Sequence, residues 1–490
     1  MIFFFAAFKI PDLIFEILIT GALTTSFIPI YLSLKNNQDE LKITISSIIN
    51  LTFISLFIFI LFINIFLSPI INFITPGFSQ EKIKVIVTFS RILLFGQLPF
   101  FVAGNILTGI GQANKIFFLS ALGPVLYNIS IIVSTVIFHN QLGLYAPIYG
   151  VVLGSFILFI IQIPIIKYSQ FQYQLIIKKA KALIDFFKMI IPRTLTVIIA
   201  QIDATIDLIL SSFLSAGSYT IFYFAQHLQL LPVSVIGISL GQASLPYLTD
   251  LYKDKKIEEF KNIITQSILN VFFMILPLSV FFIFARTPLI RLFFGGEKFD
   301  WQATVDTAKT LSFFAIGLPF HSIYYLLTRC FYAMIDSKTP FLIGFFAILI
   351  NIIFSFIFVF YLKLPVWALA ISFSTSIIIN TILLFIFLSK KINGFDMKNL
   401  FLSTMKILFS AFISSFIAYF AMRLLDGLIF NTSFSINVFF LLVTVFSIFI
   451  LIYLFICWII NVKEIYLITK ILIKVKEYQK KIIEIYNQYE

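Results

Sequence analysis

Long apolar runs separated by short polar loops dominate this chain. A helix needs about 20 apolar residues to cross the hydrocarbon core of a bilayer. Thirteen stretches meet that requirement: about 1–33, 44–70, 84–110, 116–138, 144–166, 185–213, 218–248, 263–285, 308–333, 340–362, 365–388, 402–424 and 436–461. The runs are continuous and do not alternate every second residue over segments of about ten, which excludes a transmembrane β-barrel. The pattern therefore predicts an all-α polytopic membrane protein of about 13 transmembrane helices. Pro11, Pro29, Pro99, Pro232, Pro246 and Pro319 interrupt spans, as expected of bent or broken membrane helices.

The same pattern recurs along the chain. ALTTSFIPIYL (22–32) resembles SLGQASLPYLT (239–249), and each leads into a basic loop, an apolar span and a Gly turn (TPGF at 75–78, FFGGE at 293–297). LPF at 98–100 then matches LPF at 318–320, and Asn128-Ile129 matches Asn351-Ile352. The offset stays between 217 and 223 residues, the signature of a duplication. Matched loops fall on the same side of the membrane, so the repeats are parallel. The second repeat has six spans (185–388) and the first has five, so the pattern is that of a 6+6 design lacking its first helix. A full version would have fourteen helices and a cytoplasmic N-terminus. The expected organisation is an N-terminal lobe at 1–170, a C-terminal lobe at 171–395, two additional transmembrane helices at 396–462, and a basic tail at 463–490.

Composition supports this reading and narrows it. Of 490 residues, 60% are hydrophobic and 12% charged, too few charges to cover three soluble domains. The net charge of +13 belongs to the loops. With the first span running outside to inside, the inside loops and tail carry 22 Lys and Arg against 8 outside, as the positive-inside rule demands. This places the C-terminus in the cytoplasm and the chain in the cytoplasmic (inner) membrane, with no role in nucleic-acid binding. The basic tail reads either as a surface helix on anionic lipid or as a solvated helical end. No cleavable signal peptide is evident. The two cysteines, Cys330 and Cys457, lie in apolar runs and offer neither a disulfide framework nor a metal cluster. No Walker A, HExxH or GxSxG motif occurs, so no enzyme is expected.

Ionisable residues inside spans are costly and mark functional candidates. Lys9, Asp12, Glu16 and Thr20 recur at i, i+3, i+7 and i+11, one stripe of a helix. Such a stripe must face a water-filled cavity or partners on another helix; Lys9 and Asp12 are also spaced to satisfy each other. Asp203 and Asp207 sit one turn apart, below Arg193 and Gln201. They are placed to bind a cation, to share a proton, or to pair with Arg193. His227, beside Gln226 in AQHLQLLP, is either structural or a pH-dependent anion contact at the repeat interface. No cofactor or metal is expected beyond a coupling Na+ or H+.

Four segments carry a resemblance: AFKIPDLIFEILITGALTTSFIPIYLSLK (7–35), GPVLYNISII (123–132), FYFAQHLQLLPVSVIGISLGQASLP (222–246) and FYAMIDSKTP (331–340). In this order the chain resembles the MurJ/MviN family of lipid II flippases. The resemblance implies a MOP-type two-lobe transporter: parallel six-helix repeats, the first reduced here to five helices, plus two C-terminal helices forming a lipid-accessible groove. It implies flipping of the undecaprenyl-linked peptidoglycan precursor lipid II across the cytoplasmic membrane by alternating access, driven by membrane potential or a cation gradient. The bilayer and cell-wall synthesis proteins are the other implied partners. Alternatives are export of another polyprenyl-linked oligosaccharide and a non-transporting scaffold of cell-wall synthesis.

The resemblance also assigns residues. Lys9 matches an expected cavity cation, with Asp12, Glu16, Thr20, Gln226 and His227 as further substrate-binding candidates. Asp203 and Asp207 are cation-coupling candidates, and Asn351 is a possible partner from the later matching helix. The chain departs from the family where an Arg pair is usual and Phe15 and Glu16 stand, and where a later cavity Arg is replaced by His227.

Overall fold

The computed structural model describes all residues except 1, 18–26, 28–29, 32–33, 36, 115, 170, 179–200, 297–298, 335, 429–434 and 468–490. Among the described residues, eleven helices are long and apolar enough to cross a membrane, and each coincides with one predicted span. The other two predicted spans, 1–33 and 185–213, fall partly outside the described residues, as does most of the basic tail. Helices commonly run past the predicted spans. The helix predicted at 44–70 is Gln38–Ile74, because its polar first turn continues into the interface and is capped by Asn37, whose Oδ1 accepts from Glu40 N at 3.3 Å.

The chain forms two compact units, Met1–Ala216 and Gly217–Glu490. The first contains α1 (Ile2–Phe15), α2 (Gln38–Ile74), α3 (Gln80–Ala113), α4 (Phe117–Leu142), α5 (Tyr145–Gln162) and α6 (201–212). α4 and α5 pack through small residues. A Cβ at Gly150 would meet Ser134 Cβ at 2.8 Å, and one at Gly154 would meet the Tyr127 carbonyl at 2.8 Å. This small-xxx-small face lets two backbones approach where hydrophobicity gives no drive for association. Ser134 Oγ donates to the Ala146 carbonyl at 2.7 Å across the same pair.

The second unit contains α7 (Ser218–Lys253), α8 (Ile257–Phe284), α9 (Arg286–Phe294), α10 (Trp301–Ala333), α11 (Lys338–Phe356), α12 (Trp367–Lys391), α13 (Met397–Leu428) and α14 (Ser435–Ile459). α10 is its axis. Its Gly317 lies against Ser374 of α12, whose Oγ donates to the Phe313 carbonyl at 2.7 Å. Ser322 of α10 lies against Gly237 of α7, and Ser279 of α8 donates to the Ala315 carbonyl at 2.5 Å. α13 and α14 dock on α8 through Phe273, Leu276, Ile407, Ala411, Tyr453 and Cys457, with Tyr453 Oη donating to the Phe273 carbonyl at 2.8 Å.

The faces turned away from these contacts are apolar. Phe57, Ile58, Phe62, Ile65 and Phe73 of α2, and Val133, Val136 and Ile137 of α4, are exposed. Continuous outward faces of this kind match lipid tails. Hydroxyls on the helices bond back to carbonyls one turn earlier, as Ser47 does to Ile43 at 2.7 Å and Thr52 to Ile48 at 2.8 Å, which satisfies them without water.

The repeat is visible in local structure. α1 loosens into a π-helical turn at residue 16, and α7 does so at Val233–Ile238. These starts are 217 residues apart, the offset found in the sequence. Such π turns widen a helix locally and are frequent at functional sites.

Candidate functional site

α1 divides into two faces. Ala6, Ala7, Ile10 and Ile14 are buried, and the Ala7 carbonyl accepts from Ser90 Oγ of α3 at 2.9 Å. On roughly the opposite face, Lys9 and Glu16 are half-buried and Asp12 is exposed. Thr20 lies outside the described residues. The charged stripe read from the spacing is thus a real face of the helix. Charges on such a face are tolerated within a membrane only beside water or other polar groups.

Those groups come largely from α6. Lys9 Nζ donates to Gln201 Oε1 at 3.4 Å, and the charges of Asp207, Asp12 and Asp203 all act on Lys9. Asp207 is buried and Asp203 half-buried, one turn apart on α6. Glu16 acts in turn on Asp12. The far end of α6 is tied to the α2–α3 turn, where Gly77 N donates to Ser212 Oγ at 3.3 Å. Arg193, the alternative partner for the Asp pair, lies outside the described residues.

The structure therefore gathers Lys9, Asp12, Glu16, Asp203 and Asp207 into one cluster in the first unit. Residues assigned from sequence to two roles, substrate contact and ion coupling, turn out to be neighbours. Three carboxylates, those of Asp12, Asp203 and Asp207, act on one ammonium, and the burial of Asp207 makes uncompensated charge there expensive. A bound cation or protons would neutralise the excess.

Two residues not singled out from sequence complete this wall. Tyr127 of α4 lies within reach of the Asp12 charge, and its Oη accepts from Gln97 Nε2 of α3 at 3.3 Å. Phe101 stacks between Phe15 and Tyr127, with ring centroids 4.6 and 5.2 Å away. Gln97 ends the π turn Leu93–Gln97 inside α3, directly before the repeated LPF.

In the second unit, His227 is exposed and Gln226 half-buried on α7. The His227 ring stacks on Tyr223 at 3.8 Å, and its Nδ1 lies 2.9 Å from the Tyr223 carbonyl. Asn351 is buried on α11, so it and His227 have different surroundings. A buried pair that the sequence reading passed over lies beneath His227: Gln229 Nε2 is 3.1 Å from His321 Nδ1 of α10. The repeat offset aligns Gln226 with Lys9 and Gln229 with Asp12, which marks Gln229 but gives no sign of its partner His321. Two arginines within the spans are also partnered: Arg91 Nε donates to Asn64 Oδ1 at 3.2 Å, and Arg329 lies over the Tyr332 ring at 5.6 Å.

Comparison with known proteins decides the family. Residues 2–440 match the family model described as lipid II flippase MurJ. The chain belongs to the MurJ family. A probable lipid II flippase MurJ of Rickettsia prowazekii is 29% identical over 355 residues, covering 70% of this chain and 69% of that protein. The lipid II flippase MurJ of Burkholderia cenocepacia is 25% identical over 402 residues, covering 79% and 77%. Among solved structures, a lipid II flippase MurJ in an inward closed conformation aligns with a TM-score of 0.76 at 26% identity, covering 94% of this chain and 92% of that one. A multidrug resistance MATE family transporter of the MOP superfamily aligns with a TM-score of 0.66 at 17% identity, a likeness of fold alone. The chain is a multi-pass membrane protein of a transporter family with the MOP fold, and that family is not one of enzymes.

Proposed function

We propose that this chain translocates lipid II across the cytoplasmic membrane by alternating access, with its C-terminus in the cytoplasm. Membership of the MurJ family is the observation that carries the reading. The physics of the cargo supports it. A sugar-diphosphate head needs a polar path through the bilayer, while a polyprenyl tail stays in lipid. α1 supplies a polar face within the hydrophobic part of the chain, and the π turns of α1 and α7 give two repeat-related helices a place to bend.

In this reading Lys9 contacts the diphosphate through a charge-assisted hydrogen bond, and Gln226 and His227 are kept as further candidate substrate contacts. The acidic excess around Lys9 supports a coupling role for Asp203 and Asp207. A Na+ or protons held there would offset the repulsion between carboxylates and the anionic cargo. Asn351 is kept as a candidate partner in coupling, and cell-wall synthesis proteins as candidate partners of the whole chain.

The test is complementation. Cells depleted of their own lipid II flippase are expected to grow and keep their shape when this chain is expressed, and to do so less well with Lys9→Ala or Asp207→Asn. Membrane-localised wild-type chain that leaves the depleted cells to lyse would overturn the proposal. Full rescue by both variants would overturn the residue roles.

A further inference from the structure

We infer that the second unit holds a binding site for the phosphate headgroup of an anionic bilayer lipid, formed by Arg286, Arg291 and Arg423. A cavity of about 400 Å³ opens between α9, the end of α13 and the start of α14, and these three arginines line it. The volume is within the range of small-ligand sites. The guanidinium fork matches phosphate oxygens two at a time, and three forks reach this cavity from two separate helices.

Two of the three are held in place by hydrogen bonds to neutral side chains. Arg286 Nη1 donates to Ser312 Oγ of α10 at 3.2 Å. Arg423 Nε donates to Tyr419 Oη at 3.2 Å, and its guanidinium lies over the Tyr419 ring at 5.5 Å. Asp426 also lines the cavity and its charge acts on Arg423, so the lining keeps an excess of two positive charges. Among the described residues, the ion pairs within 4.0 Å all lie elsewhere, at Lys256–Glu259, Lys261–Glu258 and Lys391–Asp336.

The surroundings point to a lipid as the carrier of the phosphate. Met422, Val438 and Leu441 form an apolar wall of the cavity. Beyond it, α13 and α14 expose Phe416, Phe420, Phe439 and Phe440, faces on which acyl chains can lie. Trp301, at the rim, is 63% exposed, the position aromatic residues take at the headgroup level of a membrane. A soluble phosphate would use the arginines and leave these apolar features without a role. The inference stands apart from lipid II translocation and is tested without transport.

The experiment is thermal unfolding of the full chain in a neutral detergent, titrated with phosphatidylglycerol, phosphatidylcholine or inorganic phosphate. A ligand that binds the folded state raises the midpoint. Phosphatidylglycerol is expected to stabilise the wild type more than phosphatidylcholine does. Arg423→Gln is expected to weaken that response about fivefold, and the triple variant Arg286→Gln, Arg291→Gln, Arg423→Gln roughly 100-fold. The matching triple Arg→Lys variant, which keeps the charge and loses the fork, is expected to fall between the wild type and the triple Gln variant and serves as the folding control. Equal stabilisation by inorganic phosphate, lost in the Gln variants, would replace the lipid with a soluble anion and overturn the lipid assignment. An undiminished phosphatidylglycerol response in Arg423→Gln and the triple Gln variant would overturn the site.

Discussion

Gly237 lies at the crossing of α7 and α10, inside the π turn Val233–Ile238. A Cβ there would stand 2.7 Å from Ser322 Cα and 2.9 Å from both the Cβ and the carbonyl oxygen of Ser322. Carbon atoms pack at about 3.5–4.0 Å, so Gly237→Ala forces the two helices apart by about 1 Å. The obstruction is backbone and cannot swing aside. Overpacking of this kind costs about 1–3 kcal/mol, and the gain of helix propensity on replacing Gly by Ala returns at most about 1 kcal/mol. The expected net effect is a loss of about 1–2 kcal/mol and a midpoint lower by about 1–2 °C. Gly344 is the internal control. It lies within α11, where a Cβ would meet nothing within 4 Å, so Gly344→Ala should be neutral or stabilising by up to about 1 kcal/mol. Thermal unfolding of both variants in one detergent gives the comparison. Equal stability of Gly237→Ala and wild type, or destabilisation by Gly344→Ala, would refute the close approach.

Other consequences follow from single contacts. Lys9→Ala leaves the carboxylates of Asp12, Asp203 and Asp207 without their ammonium, so it should destabilise the chain more than Lys9→Ala does in an Asp207→Asn background. A double-mutant cycle is expected to give a coupling of about 1 kcal/mol, and a coupling of zero would separate the two residues. Tyr453→Phe removes the buried hydrogen bond to the Phe273 carbonyl and should cost about 1 kcal/mol, read as a lower unfolding midpoint. In the α10–α11 turn, partial desolvation of Asp336 is outweighed by hydrogen bonds from Lys391 and Thr339, and its carboxyl is held down to about 2. Because the folded value lies below the ordinary value of 3.8, the stability it contributes is present above that value and is lost as pH falls toward 2. Asp336→Asn should flatten the dependence of the midpoint on pH between about 5 and 2, and Lys391→Met, which lets the carboxyl return toward its ordinary value, should weaken the same dependence.

The spans were legible because an apolar run of membrane length has few other uses, and all eleven described membrane-length helices coincide with predicted spans. The repeat was legible because turn and Pro-containing segments recurred at a steady offset, and the π turns of α1 and α7 keep that offset. The stripe of Lys9, Asp12 and Glu16 was legible from helical spacing, since charge inside a span has little reason to exist without a polar neighbour. Its neighbours were less accessible. That Gln201 would meet Lys9 depends on how α1 and α6 pack, and spacing along the chain does not encode a contact between residues 192 apart. Gln229 and His321 read as isolated polar residues in apolar spans until the fold puts them 3.1 Å apart. Arg286, Arg291 and Arg423 counted from sequence only as loop charges, because the cavity they share is made by helices distant in the chain.

Translocation of lipid II by this chain can be measured by reconstitution. Purified protein is placed in vesicles loaded with lipid II in the inner leaflet, and a membrane-impermeant probe reports its arrival outside. Transfer is expected to exceed that of protein-free vesicles, to be reduced by Lys9→Ala, and to lose its dependence on Na+ or pH in Asp207→Asn. Transfer no faster than in protein-free vesicles, by correctly folded and inserted chain, would contradict the proposed translocation.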